Sequence, residues 1–105
     1  MAIMVTKHSN AALLEKVQRK SKPPRPYNVL LFNDDFTTME FVIEVLQKFF
    51  DMNHERAIQS MLKVHKEGSA ICGVYPKDIA ETKVEQVTSF AKQHEHPLRC
   101  ETEES

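Results

Sequence analysis

A chain of 105 residues, 41 % of them hydrophobic, fits one soluble globular domain with a single modest core and excludes a chain disordered throughout. No apolar run approaches the ~20 residues a bilayer-spanning helix needs, and two cysteines, Cys72 and Cys100, are too few for a disulfide framework or a four-ligand zinc site. The net charge of −1 hides six basic residues against Glu15 alone in residues 1–26, while the remainder carries eight basic and fourteen acidic residues, an acidic body that argues against a nucleic-acid-binding domain.

In chain order, residues 1–24 read as a basic N-terminal extension, and residues 25–105 as the folded body. The extension lacks an apolar signal-peptide core and the Arg/Ser richness of a transit peptide, so a cytoplasmic protein is expected. "AALLEKVQRK" could form a short helix, marginal when isolated. "SKPPRP", residues 21–26, reads as a stiff extended linker, because proline fixes φ and removes a donor.

"YNVLLF", residues 27–32, has the length and β-rich composition of a buried strand. Thr37 and Glu40 have capping-box spacing, predicting a helix over about 38–50. Its inward stripe is Met39, Val42, Leu46 and Phe49, broadened by Phe41, Val45 and Phe50. "DMN" breaks that pattern. Asn53 is placed to cap a second helix, about 54–67, and Gly68 to end it. "SAICGVY", residues 69–75, reads as a second strand. Pro76 and Asp78 open a third helix to about His94, with Ala80, Val84, Val87 and Ala91 inward. "LRCET" forms a last edge strand. The order β-α-α-β-α-β predicts an α+β domain: a small, three-stranded, mainly antiparallel sheet with three helices against one face. Pairing order does not follow from these signals.

The chemistry concentrates in "NDD", residues 33–35. Asx residues bend a chain, and negative charge favours a helix N-terminus, but three in a row exceed what a cap requires. A catalytic carboxylate pair would need converging side chains and a third partner. Magnesium would ordinarily come with a phosphate-cradling glycine loop, and the two glycines stand at 68 and 73. His65, four residues after Met61, is either a satisfied structural histidine or a polar group in the wall of an apolar pocket. His94, His96 and Cys100 could supply three metal ligands, without a clear fourth. Nothing in the pattern gives positive support for an enzyme.

"PYNVLLFNDDFTTMEFVIEVLQKFF", "ERAIQSMLKVH", "AETKVEQV" and "HEHPLRC" together resemble the ClpS family of adaptors, over about residues 23–101 and in the right order. The strings NDD-x-T-x-MEFV and M-x-x-VH carry most of the specificity. The resemblance implies a fold similar to the C-terminal domain of the ribosomal stalk protein. It also implies a non-enzymatic, cofactor-free, monomeric adaptor that binds large apolar first residues (Leu, Phe, Tyr, Trp) of N-degron polypeptides. Such adaptors deliver the bound chain to the ClpA unfoldase of the ClpAP protease. Carried over by position, Asn33 and His65 hydrogen-bond the substrate α-amino group, while Asp34 and Asp35 hold the loop and contact the amino end and the first peptide bonds. Met39, Val42, Met61, Val64 and Leu98 line an apolar pocket, with Thr37 at its rim and Met39 excluding β-branched side chains. Asp78 and Lys83 match positions that contact the ClpA N-terminal domain. Thr38, where relatives often carry proline, is expected to stay outside the pocket. Neither metal nor nucleic acid nor membrane enters this reading.

Overall fold

The computed structural model describes residues 25–105; the expected basic extension, residues 1–24, lies outside the described residues. Six elements follow in chain order: β1 (Tyr27–Phe32), α1 (Met39–Phe49), α2 (His54–Glu67), β2 (Ser69–Tyr75), α3 (Lys77–Gln93) and β3 (Arg99–Glu104). This is the α+β arrangement that the periodicities predict. The sheet order is β2-β1-β3, and both pairings are antiparallel. The first strand therefore sits in the centre, with the later two as edges. Register slips between Val29 and Leu30 opposite β2, as a bulge permits.

Alternation along β1 buries Val29 and Leu31 completely. They join Val45, Leu46, Ala57, Ala80 and Val87 in a core that solvent does not reach. Each large aliphatic side chain so buried favours folding by about 1.5–3 kcal/mol before conformational entropy is counted. Phe41 stacks on Phe90 with centroids 5.3 Å apart and on His96 at 4.1 Å, and Phe90 meets His94 at 4.5 Å. These contacts lock the start of α1 against the end of α3. Val84 is only partly buried against this core.

The helix ends largely follow their sequence signals. Asn53 accepts from the Arg56 N–H at 2.8 Å, and Gly68 closes α2 at φ 89°, a left-handed conformation that costs glycine little. One expectation fails. Thr37 and Glu40 form no capping box; Thr38 caps α1, accepting from the Phe41 N–H at 3.2 Å. The Thr37 hydroxyl instead donates to Asp34 Oδ2 at 2.6 Å, which leaves the next threonine to cap. β3 also runs to Glu104, beyond the "LRCET" segment.

Candidate functional site

Between β1 and α1 the chain must reverse direction, and its polar side chains dictate how. The Asn33 backbone N–H donates to the Gly68 carbonyl at 2.8 Å, pinning the end of β1 to the C-cap of α2. That bond brings residues 33–35 beside the last turn of α2, where His65 stands. Asp34 then organises the loop: Oδ1 accepts from the N–H groups of Phe36 (2.9 Å) and Thr37 (2.7 Å), and Oδ2 from the Thr37 hydroxyl. Partial burial alone would push the Asp34 carboxyl up. The hydrogen bonds from Thr37 and Phe36, helped by the nearby His96, outweigh it and hold the carboxyl below its ordinary value. Asp35 is exposed, and no hydrogen bond to it occurs among the described residues.

The loop, the first turn of α1 and the last turns of α2 enclose a cavity of about 480 Å³. Its floor is apolar: Val42, Met61 and Val64 are 7 %, 6 % and 2 % exposed. Met39, at 46 %, stands at the mouth. Asn33, Asp34, Asp35, Thr37 and His65 supply a polar margin on the same cavity. Its lining holds three carboxylates, those of Asp34, Asp35 and Glu40, and neither lysine nor arginine. The C-terminus of α2 adds partial negative charge from its last carbonyls. The cavity therefore suits a ligand with a cationic hydrogen-bond donor at one end and a bulky apolar group at the other.

Nine of the ten expected substrate-site residues meet here. Leu98 is not among the residues of the cavity wall: it is 5 % exposed, within the core. Thr38, expected outside, lines the cavity, as do Phe36 and Glu40. Phe36 is 79 % exposed, and its only sequence signal was an aromatic residue inside a polar turn. Asp78 is exposed in the first turn of α3, away from the cavity. Lys83 donates from Nζ to the Phe49 carbonyl at 2.7 Å, closing the C-terminus of α1.

The metal alternatives find no geometry: no three His, Cys, Asp or Glu side chains converge as a ligand set among the described residues. His94 and His96 are engaged with Phe41 and Phe90. The Cys72 and Cys100 thiols are buried, and desolvation pushes each up to about 12, far from a reactive thiolate. No described helix is long and apolar enough to cross a membrane.

Fold and cavity together define a small α+β domain, with a candidate ligand site at the junction of the central strand and a helical hairpin. The family model of the ATP-dependent Clp protease adaptor protein ClpS matches residues 22–101, and the chain belongs to that family. It is 60 % identical over 102 residues to the ATP-dependent Clp protease adapter protein ClpS of Aromatoleum aromaticum, covering 97 % of this chain and all of that one. The ClpS of Nitrosospira multiformis is 55 % identical over the same shares. Among solved structures, Agrobacterium tumefaciens ClpS2 bound to L-phenylalaninamide superposes with a TM-score of 0.77. It is 40 % identical and covers 79 % of this chain and all of that one.

Proposed function

We propose that this Clp protease adaptor reads the first residue of a polypeptide, taking Leu, Phe, Tyr or Trp, and delivers that N-degron chain to the ClpA unfoldase. The observation that carries the proposal is that one cavity joins an acidic, acceptor-rich margin to a closed apolar floor. A free α-amino group has a reference pKa of about 7.7–8.0, so near neutrality it is mostly an ammonium with three donors. Asn33, Asp35 and His65 offer it acceptors, while Asp34 holds the loop that presents them. An internal peptide N–H brings one donor, no charge, and chain on both sides, so it is rejected electrostatically and sterically. The floor formed by Val42, Met61 and Val64 receives the side chain, contributing about 1.5–3 kcal/mol when a large residue is fully buried. The ligand of the Agrobacterium relative, L-phenylalaninamide, combines an α-amino group, a benzyl side chain and a neutral amide, which are the parts of a polypeptide's first residue.

In this reading the chain is a cytoplasmic monomer with no catalytic step. Asp78 and Lys83 on α3 face the ClpA N-terminal domain, and residues 1–22 act at the unfoldase during delivery. The direct test is fluorescence-polarisation binding of matched peptides beginning with Leu, Phe, Ile or Ser, with an N-acetylated Leu control. Tight binding of Leu and Phe that acetylation abolishes supports the proposal. Equal weak binding of all five overturns it.

A further inference from the structure

A second cavity, of about 490 Å³, runs along the outer face of α1 and is lined by Glu40, Ile43, Glu44, Gln47, Lys48 and His54. Glu40 also lines the first cavity, so the two depressions share a wall. The spacing 40, 43, 44, 47, 48 is one continuous helical face. Half-buried Ile43 forms the floor of this groove, and exposed polar side chains flank it. Charge along it is ordered: Glu40 and Glu44 stand near the first cavity. Lys48 stands at the far end with His54 from the start of α2. The Lys48 ammonium lies 4.3 Å from the Phe90 ring centroid, which fixes the positive charge there.

We infer that this groove is a second substrate subsite. It receives the polypeptide just after its first residue and reads the order of charges along it. The inference rests on the first cavity holding the first residue. The eight helical steps from Glu40 to Lys48 span ~12 Å, the length of about four residues of extended peptide. A chain leaving the first cavity past Glu40 thus meets carboxylates with its next two residues and the Lys48 ammonium with the following ones. A basic residue early and an acidic residue late match the groove; the reverse order opposes it at both ends. Selection by charge order differs from selection by net charge, because two peptides of one composition are told apart.

The experiment uses the full chain and two fluorescent peptides of identical composition, both beginning with Leu. One places Arg at the second position and Glu at the fifth; the other exchanges them. Exposed ion pairs are individually weak, so the basic-first peptide should bind roughly three- to tenfold more tightly at low salt, with the difference fading near ~1 M salt. The double variant Glu44→Lys, Lys48→Glu should erase or reverse that ratio while staying folded by circular dichroism. Neither residue lines the first cavity. Equal affinities on the unaltered protein would overturn the inference, as would a preference that persists in the double variant, which would then belong to Asp35. N-acetylated versions of both peptides test the underlying reading separately. If acetylation leaves binding intact, first-residue recognition itself fails.

Discussion

Met39 gives the sharpest test of how the first cavity selects its ligand. Its side chain is 46 % exposed, whereas the floor residues Val42, Met61 and Val64 are nearly closed to solvent. It therefore narrows the mouth without carrying much of the core. Replacing Met39 by Ala removes about half of a full burial term, so stability should fall by only about 1 kcal/mol. The effect on ligands should be larger and opposite in sign for two side chains. Isoleucine carries its branch at Cβ, level with the mouth, where overpacking costs roughly 1–3 kcal/mol; removing Met39 relieves that clash. Leucine branches one atom deeper and meets no such obstruction. It should only lose contact with the thioether, on the order of 1 kcal/mol. The Leu-to-Ile affinity ratio should then contract by at least about tenfold, since ~1.4 kcal/mol is one decade. Polarisation titrations with Leu- and Ile-initiated peptides measure both terms, and a melting curve confirms the fold. A ratio unchanged within about twofold, in a folded variant, would refute Met39 as the selective element.

His65→Ala should weaken binding of Leu peptides by roughly tenfold or more, the worth of one hydrogen bond to a charged group, without changing circular dichroism, because His65 is exposed. The Asp34 carboxyl is held below its ordinary value of ~3.9 in the fold, so its contribution is present above that value and lost as pH falls through the lower folded-state one. Urea melts between about pH 5 and about pH 2.5 should therefore show a steeper stability loss in the unaltered protein than in Asp34→Asn. Asp78→Lys should leave peptide affinity unchanged and reduce association with the ClpA N-terminal domain, measured by calorimetry. Deleting residues 1–22 should spare peptide binding and slow degradation of a Leu-initiated substrate by ClpAP; an undiminished rate would exclude a delivery role.

The elements were legible in the sequence where one local signal dominated. Asn53 and Gly68 bracket α2 without competitors. The stripe of α1 gives the face but not its edges: Phe41, Val42, Val45 and Leu46 are buried, whereas Met39, expected inward, is exposed and Phe49 is half-buried. The cap of α1 was not legible, because Thr37 and Thr38 are both competent. The choice falls to Asp34, whose second oxygen captures the Thr37 hydroxyl. No pattern within residues 37–40 records that competition. Strand order was also hidden: three short strands pair equally well on paper, and only the folded chain places β1 between the other two. The polar margin and apolar floor followed from a resemblance carried by two strings, and the cavity gathers their residues. Leu98 is buried, and a buried leucine after a helix reads alike for a core and for a pocket floor.

The two adjacent aspartates are chemically unequal, and their inequality explains why three Asx residues follow one another. Asp34 accepts three hydrogen bonds from its own loop, so its charge is held in place while its lone pairs are largely occupied. It contributes potential and shape. Asp35 accepts none among the described residues and stays exposed, so its oxygens are available to an incoming ammonium. Asn33 sits between strand and loop, its backbone fixed to Gly68 and its amide oxygen free to turn toward the cavity. The donors that shape the loop take three of the roughly four acceptor sites of the Asp34 carboxylate, so most of the free acceptor capacity of the pair lies on Asp35. The loop fixed by the first holds the second steady. It follows that Asp34→Asn should lower both stability and affinity, while Asp35→Asn should lower affinity alone. Equal stability losses in the two variants would mean that both carboxylates serve only the turn.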